Sequence, residues 1–567
     1  MSHDTPEAAA ARDWVNASAT ALHGVASRTD ASHIASELLR LNHAVRRVAD
    51  GRMAYTDQPA DYAALLLSGA DTSNVPAAAQ AAHAPPSSPG EDNSIVQASA
   101  RLRRGETTSV ALTEAALQQA QATQAAHNAF LNLMADRALA QARERDAEAA
   151  AGRWRGPLHG IPMAHKDCFD RAGLCMTVGG RVNDAAPATQ DATVLQRLQS
   201  AGAVDLGALN LNEMVCGPTG QNPHHGDCAN AWDPARISGG SSSGSAVAVA
   251  LGSAFASLGS DTGGSIRLPA AMNGLFGLKP TYGRISRAGS FPRAFSLDAI
   301  GPLTRTAADG ALLLGAIAGH DPRDPSSLDA PVPDYLAGLE ADWACSRRLG
   351  VLRLDPACDP GIDAVFSGFI EALARHYQVQ PDIAWPQIES CYALGDVISK
   401  VEAATLHSHW MREQGDAYSQ AVFSRTEPGL HVPAVRYLEA LALRAQVLHD
   451  FLNGPMQGVD VLICPTMPLP VPTRIEADME KPGTVFSVVA AITRLTRAFS
   501  YLGVPVLTMP IGLDINGMPV GAQLIARPLG EARLLALAHA ASAHIGWPGI
   551  AAAGVRAPEP FLFKDAS

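Results

Sequence analysis

Residues 238–281 read SGGSSSGSAVAVALGSAFASLGSDTGGSIRLPAAMNGLFGLKPT, two glycine–serine clusters on either side of an alanine-rich stretch. The stretch Ser245–Ser260 is too short and too rich in small residues to span a bilayer, which needs ~20 apolar residues; it predicts a tightly packed core helix and strand. In the second cluster, Asp261-Thr-Gly-Gly-Ser265-Ile-Arg267, the two glycines accept positive φ, so successive N–H groups can converge on one point. A hydroxyl beside convergent donors is what an acyl-transfer oxyanion requires. The competing reading is a plain turn with a serine N-cap. The first cluster, Gly239-Gly-Ser241-Ser-Ser-Gly244, also satisfies G-x-S-x-G, the nucleophile elbow of α/β-hydrolases, with Ser242 as nucleophile. An elbow needs a strand directly before it, and Asp233–Ser238 reads as loop.

Upstream, Gly160-Ile-Pro-Met-Ala-His-Lys166-Asp places a lysine at the end of an apolar strand. There desolvation lowers its pKa and fits it to act as a base, against the commoner fate of a snorkelling surface lysine. Further out, strands are expected at 162–165, 203–206, 255–258 and 459–463, helices at 192–200 and 306–317, and a pair of helices over 109–151. This alternation predicts an α/β fold: one large α/β/α domain with a mixed, mostly parallel central sheet covered by helices. Residues 1–93 read as an N-terminal helical extension, with helices over 33–49 and 61–69, ending in an Ala/Pro/Ser linker over 75–93; the catalytic domain is expected over 94–567.

The chain has 567 residues and a formal net charge of -12, which disfavours nucleic acid and anionic membranes as partners. The start carries no secretory pattern, and the eight cysteines form no C-x-x-C pair and are too sparse for a disulfide framework. Both features predict a reducing cytoplasm, with the cysteines acting as small buried hydrophobes. No nucleotide or metal motif stands out. His224-His225 reads as part of a polar loop, and the four aspartates of 321–334 as a solvated loop without EF-hand spacing.

Taken together, these motifs resemble the amidase signature family. The run from Gly239 matches its signature, GPLHGIPMAHKDCFD its lysine motif, and the loop over 210–230 its lead-in to the serine cluster. ICPTMPLPVP and AFSYLGVPVLTMPIGL match its C-terminal strands, so the likeness covers roughly 94–547. The chain departs from the family at Ser243, where glycine is more frequent, and in its first 93 residues.

The resemblance implies a Ser–Ser–Lys triad. Ser265 would be the nucleophile, Ser241 a proton relay after a cis peptide bond, and Lys166 the base. The amides of Thr262, Gly263, Gly264 and Ser265 would form the oxyanion hole, with Ser242 and Val215 in the substrate site. It implies hydrolysis of a small-molecule amide through an acyl-enzyme, no cofactor and no metal, with a homodimer left open. Pocket walls are expected from 214–217, His224-His225 and parts of 390–500. The alternatives are the glutamine-hydrolysing subunit of an amidotransferase and, from another class, a non-catalytic binding scaffold.

Overall fold

The alanine-rich stretch folds as the helix Ser243–Ala250, with all eight residues buried. Its small side chains let it lie close against strands on several sides, as expected of a helix apolar all round. The computed structural model describes residues 5–54, 57–71, 94–182, 186–340, 348–481 and 484–547. Among them are eleven strands: β1 (Phe130–Leu133), β2 (Pro162–Lys166), β3 (Val204–Leu209), β4 (Ala256–Asp261), β5 (Phe276–Lys279), β6 (Ala299–Thr304), β7 (Arg348–Leu352), β8 (Gln378–Ile383), β9 (Val461–Pro465), β10 (Val506–Leu513) and β11 (Pro519–Ile525).

Eight strands form one sheet in the order β4-β6-β5-β10-β11-β9-β7-β8, and three form a smaller one, β1-β3-β2. The small sheet sits against the edge of the large one. The Phe255 N–H donates to the Pro162 carbonyl at 3.1 Å, and the Leu258 N–H to His165 Nδ1 at 3.1 Å. The mixed α/β class is as expected, but the sheet is not mostly parallel: only β9/β7, β7/β8 and, in the small sheet, β2/β3 pair in parallel. Direct turns account for part of this. β10 and β11 form a hairpin whose turn is closed by Asp514, its carboxylate accepting from the Asn516 and Met518 amides at 2.8 and 2.9 Å. The expected pair of helices over 109–151 is present as Ser109–His127 and Ala135–Ala150, with β1 between them.

The extension folds as three helices, Pro6–His23, Ala31–Arg52 and Asp61–Ser68. Thr5 and Asp30 cap the first two through side-chain oxygens. Ile34, Leu38, Leu41 and Val45 form the buried stripe of the second. It packs on the long helices Ile388–Glu413 and Ala434–Asn453. The expected linker over 75–93 lies outside the described residues. The 321–334 segment matches the solvated loop expected only in part: Asp329 is exposed, but its first two aspartates are enclosed. Asp321 accepts from the Ser286 hydroxyl at 2.6 Å and Asp324 from the Arg287 amide at 2.8 Å, so both are buried.

Candidate active site

β2 carries Lys166 to its inner end with no solvent exposure. Its Nζ donates to the Ser241 hydroxyl at 2.7 Å and to the Ser260 hydroxyl at 2.9 Å. Burial is the main influence and lowers its pKa to about 8, against the opposing pull of Cys168, Asp298 and Asp261. This lysine therefore titrates close to physiological pH.

Ser241 follows a cis Gly240–Ser241 peptide. The loop around it has no regular secondary structure, so its backbone groups need side-chain partners. Asparagines supply them. The Asn212 side-chain Oδ1 accepts from the Gly220 amide at 2.9 Å, while its main-chain N–H donates to the Ser241 carbonyl at 3.3 Å. Asn273 Nδ2 donates to the Ser238 carbonyl at 2.7 Å, and Asn230 Nδ2 to those of Ile237 and Met272 at 3.0 and 2.9 Å. Ser242 joins the two serine clusters: its amide donates to the Ser265 carbonyl and its hydroxyl to the Ser260 carbonyl, each at 3.3 Å. No strand directly precedes Ser242 and its hydroxyl is buried, so the nucleophile-elbow arrangement is absent.

Asp261, at the end of β4, organises the turn that carries Ser265. Its carboxylate accepts from the Gly264 amide at 2.7 Å, the Ile266 amide at 3.2 Å, and Arg267 Nε and Nη2 at 3.0 Å each. Burial alone would raise its pKa, but the Arg267 guanidinium outweighs that and holds it at about 2. Arg267 is itself fully buried and also bonds the Thr496 carbonyl, Gln523 Oε1 and the Ser500 hydroxyl at 2.8–2.9 Å. Gly264 has φ 134°, a region open essentially to glycine, and an added Cβ would meet the Leu268 side chain at 2.8 Å.

Of the four amides expected to serve as oxyanion donors, that of Gly264 donates to Asp261 Oδ1. The amides of Thr262, Gly263 and Ser265 donate to no protein acceptor among the described residues. The Ser265 hydroxyl likewise has no hydrogen-bond partner there. It is only half-buried, whereas Ser241 and Lys166 are fully buried. The three thus grade from an accessible hydroxyl to a sealed amine.

Val215 closes the short turn Glu213–Val215, where Met214 and Val215 adopt φ 49° and 50°, uncommon for non-glycine residues. Beside it, buried Glu213 accepts from the Ser419 amide at 3.1 Å and lies 3.0 Å from His224 Nε2. Arg425 Nη1 reaches Cys216 Sγ at 3.3 Å, and Arg293 Nη1 reaches the Thr426 hydroxyl at 3.2 Å. The 213–224 loop and the 415–426 segment thus form one wall beside the serines. Three contributors went unread in the sequence: Ser260 as second lysine partner, and Thr496 and Arg497 against the Gly263-Gly264 turn. The first stands inside the signature run; the other two are over two hundred residues away and carry no local signal. Among the described residues, no group of three or more His, Cys, Asp or Glu is placed to hold a metal ion, and no helix is long and apolar enough to cross a membrane.

The family model described as Amidase matches residues 111–535. A glutamyl-tRNA(Gln) amidotransferase subunit from Thermosynechococcus vestitus is 37% identical, over 79% of this chain and 97% of its own. Native peptide amidase from Stenotrophomonas maltophilia superposes with TM-score 0.68 at 30% identity, covering 81% of this chain and 98% of its own. An inhibitor-bound chain from a vestigial protein complex, tied to the origins of an s-triazine catabolic enzyme, gives TM-score 0.74 at 34% identity over 80% and 98%. About a fifth of this chain therefore has no counterpart in relatives matched over almost their whole length. With the serine clusters, the buried lysine and the mixed sheet in place, the chain belongs to the Amidase family, the amidase signature enzymes.

Proposed function

We propose that the chain is an amidohydrolase that cleaves the C–N bond of a small carboxamide through an acyl-enzyme on Ser265. One observation carries the reading: a buried lysine whose pKa is drawn down to about 8 lies 2.7 Å from the Ser241 hydroxyl. Neutral Lys166 accepts the Ser241 proton while Ser241 accepts that of Ser265, and the Ser265 oxygen bonds to the amide carbon. The developing oxyanion is met by the amides of Thr262, Gly263 and Ser265. The proton returns through Ser241 to the leaving nitrogen, the C–N bond breaks, and ammonia or an amine departs. Water then adds to the acyl carbon by the same relay, its proton passing to Lys166; the C–O bond to Ser265 breaks, the proton returns through Ser241 to the Ser265 oxygen, and the acid is released. Every step uses the chain's own side chains and backbone. Ser242 anchors the loops, and Val215 stands in the 213–224 loop beside them.

Along the wall, Arg293 and Arg425 are matched by carboxylates: Asp298 accepts from the Thr262 hydroxyl and the Arg293 and Ala294 amides, and Glu213 accepts from the Ser419 amide. A second reading, glutamine hydrolysis as one component of an amidotransferase, draws support from the likeness to the Thermosynechococcus protein. A reducing, cytoplasmic setting fits the seven unpaired cysteines among the described residues.

The test is intact mass after a fluorophosphonate probe, followed by ammonia release from glutamine and a panel of acidic and neutral amides by the chain alone. Adduct on wild type that is lost in Ser265→Ala, with turnover of several amides, is expected. Turnover of glutamine only, and only with an added partner, would favour the second reading. No adduct and no turnover would favour a scaffold.

A further inference from the structure

The N-terminal helices lie outside the stretch matched by the family model, yet they reach the site through buried charge. On the helix Ala31–Arg52, Glu37 uses both carboxylate oxygens: Oε1 lies 2.9 Å from Lys400 Nζ and Oε2 lies 2.7 Å from Arg40 Nε. Lys400 Nζ and Arg40 Nη2 also meet Asp396 Oδ2, at 2.6 and 3.0 Å. The other Asp396 oxygen, Oδ1, lies 3.4 Å from Arg497 Nη1. Arg497 is 3% exposed, and its guanidinium lies over Gly263: an added Cβ there would sit 3.3 Å from Cζ and 3.5 Å from both terminal nitrogens. Gly263 supplies one of the unpartnered amides beside Ser265, so a fixed positive charge stands next to the turn where negative charge develops.

The charge count gives Glu37 its role. Two carboxylates, Glu37 and Asp396, hold three cations, Arg40, Lys400 and Arg497. Without Glu37, Asp396 alone would face all three, and Arg497, at the longest of the contacts, is the one most easily displaced. A second contact runs in the same direction. Arg28, between the first two helices, donates to the Gly415 and Tyr418 carbonyls at 2.6 and 3.0 Å, and the Thr29 hydroxyl to that of Ser424 at 3.1 Å. That segment bears Ser419 and Arg425, the partners of Glu213 and Cys216.

We infer that the N-terminal helices are a positioning element of the active site, with Glu37 acting through Lys400 and Asp396 to hold the Arg497 guanidinium against the Gly263 turn. The inference rests on the hydrolase reading above, in which that turn receives the oxyanion.

The experiment uses the full chain and a fluorophosphonate probe, with the rate of adduct formation followed by intact mass and resolved into saturating rate and half-saturating concentration. Glu37→Gln is nearly isosteric; it is expected to lower the saturating rate about tenfold at unchanged half-saturation. That is less than the ~10²–10³ lost with an oxyanion donor, because a charge moves but no donor is removed. Arg40→Gln is expected to cost less. Glu37→Gln with Arg40→Gln restores the net charge of the cluster and should recover most of the loss, a coupling that packing alone would not produce. Equal rates in wild type and Glu37→Gln, even with a lowered melting temperature, would overturn the inference, as would a double variant no faster than Glu37→Gln. A wild type that forms no adduct at Ser265 would remove the hydrolase reading and this inference with it, whereas normal labelling indifferent to Glu37 removes this inference alone.

Discussion

If Lys166 is the base, the rate of Ser265 acylation should follow its deprotonation. With the pKa at about 8, about 1% of the amine is neutral at pH 6, about 10% at pH 7 and half at pH 8, so the rate should rise close to tenfold per unit at first and level off above pH 9. The assay is fluorophosphonate labelling at subsaturating probe from pH 5.5 to 9.5. Lys279, lowered to about 7 chiefly by burial, titrates in the same window. Lys166→Met separates the two: it should label far more slowly, with no inflection near 8. The same shift predicts a stability effect. The folded pKa lies about 2.5 units below the usual 10.5, so the buried charge costs about 3 kcal/mol at pH 7. Because the folded state sheds the proton first, stability rises with pH from about 8 to about 10.5. Across that window wild type should gain on Lys166→Met by about that amount in urea melts at paired pH values. At pH 7 the variant gains from losing the charge and loses from unpartnered Ser241 and Ser260 hydroxyls, at ~1–3 kcal/mol for each orphaned group. A labelling rate equal at pH 6 and pH 8.5, with the covalent step limiting, would refute lysine as the base.

Other outcomes are accessible to the same methods. Ser241→Ala should slow labelling by ~10²–10⁴ while leaving Ser265 the modified residue; Ser242→Ala should still label at Ser265. Asp261→Asn leaves the buried Arg267 without its carboxylate and should lower the urea-melt stability by about 3–5 kcal/mol. Gly240→Ala would drive a methyl into Asn212 Oδ1 and to 2.8 Å from the Gly217 carbonyl, so labelling should fall more than thermal stability does.

Legibility in the sequence followed how local each signal was. The serine clusters, the lysine strand and the helix over 33–49 are contiguous patterns, and they appear as the Gly240–Arg267 loops, β2 and the helix Ala31–Arg52. The helix Ile388–Glu413 escaped detection because it is buried on most of its circumference, with Cys391 through Lys400 all enclosed, so no polar face marks its period. Strand direction was misread because β4, β5 and β6 pair antiparallel through long connections that leave no periodic trace. The aspartates of 321–334 read as solvated because acid-rich Pro/Ser segments usually are; Asp329 is indeed exposed, but Asp321 and Asp324 are enclosed and satisfied by hydroxyls and an amide from distant residues. The Ser265 turn was legible only in outline: two glycines announced convergent amides, but which amide Asp261 takes, three residues on at Gly264, is set by local geometry that residue types do not state.

That arginine has a consequence for synthesis on the ribosome. Its guanidinium needs the Thr496 carbonyl, the Ser500 hydroxyl and Gln523, which follow it by 229, 233 and 256 residues. A nascent chain can emerge with both serine clusters and the lysine complete and still lack the partners that seat the arginine beside the Ser265 turn. The turn that carries Ser265 is therefore completed only once residues 496–523 have emerged, and a chain cut before them would carry the signature motifs without the seat of Arg267.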